Sequence, residues 1–288
     1  MFRKINRLKK FHCEINIFFY KTTHKMASNQ PTQFIEIDGS YLEGGGQILR
    51  ISTALSVLLN KPIRINSIRA NRKDGGLKAQ HLTGIKLLAN MSNGQLTGDE
   101  IKSKNVTLIP QKLTAGRYVG DTKTAGSVCL LIQSALPCMI FTGNESSIDL
   151  KGGTNASNAP QIDYFQMVFM PIAKKLGINV ELEILRRGYY PQGGGEVHLK
   201  TFPVKNLNSI IIRDFGKLKR IFGRIFVAGF LPIKIAEKMS TESNKLLKSY
   251  YDNIPIYIEV VKEPSHTYIG NGTGLILLAE TDTGFNQK

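Results

Sequence analysis

From Phe34 onward the chain alternates short β-rich runs with longer segments whose apolar residues recur at helical spacing. Phe34–Asp38 predicts a strand that runs into a glycine-rich turn and then a helix over about Gln47–Leu59. Ile48, Ile51, Leu55, Leu58 and Leu59 give that helix one apolar face, and Asn60-Lys61-Pro62 stops it. A strand at Pro62–Ile68 follows, then a polar loop and a helix over Leu77–Met91 with Leu82, Ile85, Leu88 and Ala89 toward its core. Val106–Ile109 and Cys138–Thr142 read as strands on either side of a helix covering Ala125–Leu136. Pro160–Leu176 is the next helix, with Ile162, Phe165, Val168, Phe169 and Ile172 on one side, and strands Asn179–Leu185 and Glu196–Phe202 flank another glycine-rich turn.

After about Asn208 the pattern restarts. Strands at Ile210–Arg213 and Phe222–Ala228, a helix over Ile233–Tyr250 and strands at Ile254–Val261 and Gly274–Glu280 predict a small βαββ unit. Helices alternating with strands predict an α/β fold, with α+β sandwich layers. Glycine clusters at Gly44–Gly46, Gly152-Gly153 and Gly193–Gly195, each beside a strand, hint at repeated supersecondary units.

Composition narrows the partners. The 288 residues carry a formal net charge of +16, which favours an anionic partner, nucleic acid first and an acidic membrane second. Part of that charge sits in residues 1–33, expected as a basic, disordered extension; its first 25 residues read either as an organelle-targeting segment or as an extension ahead of a folded protein that begins near Phe34. Cys13, Cys129 and Cys138 have no metal-ligand spacing and read as free thiols. No apolar run reaches the length of a membrane span.

The chemistry concentrates in a few segments. Glu43-Gly-Gly-Gly-Gln-Ile-Leu-Arg50 places three glycines ahead of a helix. They let backbone N–H groups approach a ligand, and the helix start presents unpaired donors and a positive dipole end to an anion. A carboxylate at such a site is repelled by phosphate unless a metal or an arginine intervenes, so Glu43 reads as a metal ligand or an arginine orienter. A purely structural turn fits the same residues. No Gly-Lys-Ser/Thr follows, so this is not a nucleotide-binding P-loop.

Arg69 and Arg72 point to opposite faces if extended; either they are two solvated arginines, the commoner case for such a pair, or a turn there converges both on one phosphate. Gln80-His81 opens a helix, where the histidine either donates to phosphate or lies on the helix surface. Thr122–Gln133 is a second loop-to-helix transition, with Gln133 as a hydrogen-bonding candidate or the segment simply a close-packed helix. Arg186-Arg187-Gly-Tyr-Tyr-Pro-Gln-Gly-Gly-Gly195 suits nucleic acid by stacking and phosphate contact, and equally suits a hairpin with packed aromatics.

Taken in order, EGGGQILR, IRANRKDGGLKAQHLTG, DTKTAGSVCLLIQ, LKGGTNASNAPQIDY and RGYYPQGGGEVHL resemble the RNA 3′-terminal phosphate cyclases, the eukaryotic branch most closely, from about Phe34 to Gly284. The resemblance implies ATP-dependent conversion of an RNA 3′-phosphate to a 2′,3′-cyclic phosphate with a divalent metal, Mg or Mn, through enzyme–AMP and RNA–adenylate intermediates. Adenylylation turns a poor phosphate oxygen into an AMP leaving group. It implies ATP contacts by Gln133, Glu43 and Arg50, metal ligation by Glu43, and an RNA-phosphate site lined by Arg69, Arg72, Gln80 and His81.

The implied fold is repeated βαβαββ-type units with a smaller inserted α/β domain. Residues 34–207 would form the large domain, 208–281 the insert and 282–288 a truncated tail, leaving the fold C-terminally incomplete. None of the five histidines occupies the motif of the family's nucleophile, so no catalytic residue is expected and the chain as written is expected to be inactive. The compartment implied is the nucleoplasm, with the cytoplasm as alternative. A non-catalytic RNA-binding relative acting in ribosomal RNA processing is the competing expectation. An enolpyruvyl transferase shares the architecture but has no motif support.

Overall fold

The computed structural model describes residues 33–42, 44–213 and 216–283. The basic segment 1–33 therefore lies almost wholly outside the described residues, as do Glu43, Cys13, His12, His24 and most of the 282–288 tail.

The first unit runs β1 (Ile35–Asp38), α1 (Gly46–Leu59), β2 (Ile63–Asn66), α2 (Ala79–Met91), β3 (Gln95–Thr97) and β4 (Val106–Ile109). Its sheet has the order β1-β2-β4-β3, with β1 parallel to β2 and β4 antiparallel to both its neighbours. The second unit runs β5 (Arg117–Asp121), α3 (Val128–Met139), β6 (Ser146–Gly152), and α4 (Ile162–Tyr164), which passes through a π-helical turn at Phe165–Phe169 into α5 (Met170–Lys175). β7 (Val180–Gly188) and β8 (Gly195–Thr201) complete it. The order β7-β8-β6-β5, with the same parallel and antiparallel pairings, repeats the first unit's topology strand for strand. The hint in the glycine clusters is thus a true βαβαββ repeat.

A third sheet comprises β9 (Leu218–Ala228), β10 (Ile256–Lys262) and, beyond β11 (Tyr268–Ile269), β12 (Gly272–Thr281), in the order β10-β9-β12. α6 (Ile233–Tyr250) lies between β9 and β10 in sequence and packs on this sheet through Ala236, Ile233 and Met239. Short β11 instead pairs parallel with β7, adding an edge strand to the second unit's sheet.

One continuous core joins the first two units. α1, α2 and α3 pack on one another, and alternation along the strands sends Ile63, Ile65, Ile148, Leu150, Val197 and Leu199 into it. The opposite positions of the second sheet carry ion pairs, among them Arg117 and His198 on Asp149, and Lys151 and Arg186 on Glu196. His198 therefore belongs to a cross-strand charge ladder. Cys129 and Cys138 are buried free thiols, each pushed up to about 12 by desolvation.

Three expectations are corrected. Cys138–Thr142 is not a strand: α3 continues through Pro137 to Met139, and the apolar run that follows is a tight turn. Ile210–Arg213 forms no strand, and Ile211 and Ile212 stay exposed, because no neighbouring strand pairs with that segment. In α1 the buried residues are Leu49, Thr53, Ala54, Ser56 and Val57, whereas Ile51, Leu55 and Leu59 are exposed. The helix presents its small residues inward because two other helices crowd it; the Cys138 thiol donates to the Ala54 carbonyl at 3.6 Å. Leu49 and Val57 are buried beside the small residues, Ile51, Leu55 and Leu59 are turned outward, and Ile48 and Ile51 line the cleft described below. Leu49→Ala should therefore cost about 3 kcal/mol, and Leu55→Gln less than about 0.5 kcal/mol. Urea denaturation of both variants checks this; equal losses would restore the face read from periodicity.

Candidate functional site

β1 delivers the chain to Gly39, where space is so tight that any Cβ would strike the Asn66 carbonyl. Asp38 accepts from the Ser40 amide and hydroxyl, at 2.9 and 2.7 Å, and these bonds hold its carboxyl below the usual range. Gly44 then takes φ +55°, and α1 begins at Gly46 with Gly45 as its N-cap and no side-chain cap. The first amides of α1 are therefore unclaimed by any capping side chain, at the positive end of a 14-residue helix.

The loop after β2 folds onto this turn. Ser67 and Arg69 adopt left-handed φ of +52° and +55°, the loop closes through successive turns, and Arg69 and Arg72 both line the cleft described below. Asn71 donates to the Ser40 carbonyl at 2.9 Å and ties the two loops together. Arg69 braces its own loop through the carbonyls of Asp74 and Gly76, at 2.7 and 3.1 Å. The Arg72 guanidinium lies over Gly45, within 3.8 Å of where a Cβ would stand.

α2 supplies the next two groups. The Lys78 amide donates to His81 Nδ1 at 3.3 Å, so the ring satisfies the N-cap amide of α2. A neutral imidazole that accepts at Nδ1 carries its proton on Nε2. That nitrogen abuts Gly46 so closely that a Cβ there would collide with it. Burial, then the charges of Arg69, Arg50 and Lys78, push the His81 pKa down to about 4, so the ring is neutral at physiological pH. Gln80 uses its side-chain oxygen to accept from the Ser127 amide at 2.7 Å, pinning the start of α3. Arg50, one helical turn beyond Gly46, donates through Nε to Gln133 Oε1 at 2.9 Å, which fixes the plane of its guanidinium. Desolvation lowers the pKa of Arg50, but a guanidinium stays charged.

These groups line an open cleft of about 1100 Å³, together with Tyr41, Leu130, Ser157 and Asn158. Its size exceeds the roughly 300–1,000 Å³ of a single small-molecule site. Gly44–Gly46, Arg50, Arg69, Arg72, Gln80 and His81 come together there, whereas Gln133 stands behind Arg50 as its orienter. No carboxylate lies among the described lining residues. Among the described residues no three His, Cys, Asp or Glu side chains are grouped to hold a metal. The described lining thus offers guanidinium forks, helix-start amides and one neutral imidazole donor, groups whose chemistry suits an anion.

Because folded His81 resists protonation, the unfolded chain binds that proton between pH 6.5 and about 4 while the folded chain does not. Stability from this group is thus complete above pH 6.5 and falls as pH drops toward 4, by about 3 kcal/mol over the window. His81→Gln should flatten that part of the acid limb, measured as the wild-type minus variant difference in denaturation free energy at pH 7 and pH 4.5. An unchanged difference would contradict the burial of a neutral imidazole.

The loop from Arg186 to Gly195 has a different part. Gly188 and Gly195 pack against the Gly152 carbonyl, and Gly193 against the Thr124-Ala125 backbone, with no room for a Cβ. Arg187 turns inward: it grips Asp163 through two hydrogen bonds of 2.8 and 2.7 Å and meets Glu263 at 3.1 Å. The packed-hairpin alternative therefore describes most of this loop, although Tyr190 remains exposed. Asp163 lies within the LKGGTNASNAPQIDY motif, whereas Glu263 carries no sequence signal beyond being acidic.

The profile of the RNA 3′-terminal phosphate cyclase family matches residues 41–273. An RNA 3′-terminal phosphate cyclase of Drosophila melanogaster is 37% identical over 249 residues, covering 86% of this chain and 69% of that protein. One from the archaeon Ignicoccus hospitalis is 39% identical over 249 residues, covering 86% and 70%. A probable RNA 3′-terminal phosphate cyclase of Dictyostelium discoideum is 41% identical over 275 residues, 92% of this chain and 63% of that protein. Eukaryotic and archaeal relatives thus match about equally well. With its repeated βαβαββ units and its motif residues gathered on one cleft, the chain belongs to the RNA 3′-terminal phosphate cyclase family.

Proposed function

We propose that the cleft binds the 3′-terminal phosphate of RNA and the phosphates of ATP, as the RNA-recognising half of an ATP-dependent cyclase. The observation that carries this is the convergence of Arg50, Arg69, Arg72 and the His81 Nε2–H on an uncapped helix start, with no carboxylate among the described lining residues. A phosphate monoester offers three oxygens, which suits several converging forks better than one cation. Gln133 would hold Arg50 in register and reach ATP from behind it, and Gln80 would set the start of α3 against the site. ATP would supply an activated phosphoryl donor that converts the RNA phosphate into an ester with an AMP leaving group. A divalent metal, with Glu43 as its ligand, belongs to the same reading; no cluster among the described residues fits one, so no step is assigned to it. The compartment this reading favours is the nucleoplasm.

His81 would donate to phosphate and would not act as a nucleophile. Its Nδ1 lone pair is engaged by the Lys78 amide, and its Nε2 bears the proton. His198 is committed to Asp149. A non-catalytic relative acting in ribosomal RNA processing, which would bind RNA without adenylylation, is the second reading. The two differ at the RNA end. Titrating the protein with one oligoribonucleotide bearing either a 3′-phosphate or a 3′-hydroxyl should give tighter binding of the phosphorylated end, by tenfold or more. Equal affinities would remove the cyclase reading and favour the relative that ignores the end.

A further inference from the structure

The cleft accounts for a terminal phosphate, but an exposed cationic surface begins at its Arg69 and Arg72 wall. The loop 69–78 and the loop 100–104 are joined by backbone hydrogen bonds. The Ile68 amide donates to the Lys104 carbonyl, that of Leu77 to Ser103 and that of Lys102 to Leu77, at 2.8–2.9 Å. Gly76, at φ +77°, fits directly against the Lys102 carbonyl, where no Cβ could be placed. The platform carries Arg69, Arg72, Lys73, Lys78, Lys102 and Lys104 against Asp74 and Glu100. Asp74 is already claimed by Lys78 at 3.5 Å.

Lys73, Lys102 and Lys104 are exposed, and no ion pair engages them among the described residues. Three non-glycine residues here, Ser67, Arg69 and Lys102, hold left-handed φ values of +52°, +55° and +67°. Such backbone costs about 1–3 kcal/mol per residue and persists where the surroundings enforce it, commonly at ligand sites. Arg69 supplies that enforcement here by bonding two carbonyls of its own loop.

We infer that this double loop is a track for the ribose-phosphate backbone of the nucleotides that precede the RNA 3′ end, with Lys73, Lys102 and Lys104 as its phosphate contacts. The inference rests on the proposed terminal-phosphate site, because the track starts at Arg69 and Arg72 on the cleft wall. Exposed lysines on a rigid backbone suit a polyanion of regular spacing. They would contribute affinity without base preference, and in a salt-dependent way.

The test uses the full chain and a Lys102→Glu/Lys104→Glu variant, with uridine 3′-monophosphate and 3′-phosphorylated oligouridylates of two, four and eight nucleotides. Wild-type affinity should rise with length. The variant should lose at least tenfold for the octamer at low salt, with the slope of log affinity against log salt reduced by about 1.4 for two lost single-strand contacts. Its affinity for uridine 3′-monophosphate and its melting temperature should be unchanged. Wild-type binding of the monophosphate with no gain on lengthening would overturn the track and leave the terminal site standing. An equal loss for monomer and octamer in the variant would overturn it too. Octamer binding that needs both lysines while the monophosphate is ignored would support the track and overturn the terminal-phosphate reading.

Discussion

Arg50→Ala should weaken binding of a 3′-phosphorylated RNA end by about 10- to 100-fold, while leaving the fold within about 1 kcal/mol of wild type. The guanidinium is held in one plane by Gln133, beside the Gly46 backbone that opens α1. Its remaining donors are thereby aimed rather than searching, so little side-chain entropy is lost when phosphate arrives. Arg50→Lys should recover only a small part, since an ammonium keeps the charge but not the fork. Gln133→Ala should fall between wild type and Arg50→Ala, because it frees the arginine without removing it. Isothermal titration with uridine 3′-monophosphate orders the three variants. A lysine variant as tight as wild type would reduce Arg50 to a point charge.

The largest loss of stability is expected at Arg187. Its side chain is 11% exposed, between Asp163 at 5% and Glu263 at 6%, and Arg224 shares Glu263 at 2.7 Å. Both arginines lie over the Phe226 ring, at 5.6 and 5.2 Å, and the Tyr189 ring packs beside it. Asp163 comes from α4, Arg187 from β7, Glu263 from just beyond β10 and Arg224 from β9, so one network clamps the third sheet to the second unit. Replacing Arg187 by methionine leaves Asp163 without its bidentate partner in a desolvated place, at a cost of about 3–5 kcal/mol. Adding Asp163→Asn should return a good part of that, since the stranded charge is then gone. Denaturant melts of the single and double variants measure the difference. If the double variant is no more stable than Arg187→Met, the cost lies in packing rather than in the unpaired carboxylate.

What could be read before the structure depended on how local the signal was. α6 and β4 sit where the pattern predicts them because each has a self-contained signature: eighteen residues of strongly amphipathic spacing in one, a four-residue run rich in β-branched side chains in the other. β3 and β5 went unread, since QLT and RYVGD are short and polar and become strands only because β4 and β6 pair with them. The inward face of α1 was misassigned for a related reason: periodicity follows the largest apolar side chains, but a helix packed by two others buries its small ones.

The site divides the same way. Gly44–Gly46, Arg50, Arg69, Arg72, Gln80 and His81 were legible as motif residues, and folding brings them to one cleft. The tautomer of His81, the bracing role of Arg69 and the burial of Asp163 were not. Each follows from a partner supplied by folding: the Lys78 amide, the carbonyls of Asp74 and Gly76, and an arginine 24 residues further along.

The central claim is that the terminal phosphate sits against the His81 Nε2–H and the start of α1. Nitrogen-resolved NMR of the His81 ring during titration with uridine 3′-monophosphate, with uridine as control, addresses it directly. The account predicts that the phosphate, and not uridine, shifts the Nε2 resonance and raises the ring's pKa from about 4, because a bound dianion offsets the three neighbouring cations. Saturable binding of the monophosphate with the His81 resonances and pKa unmoved would contradict it.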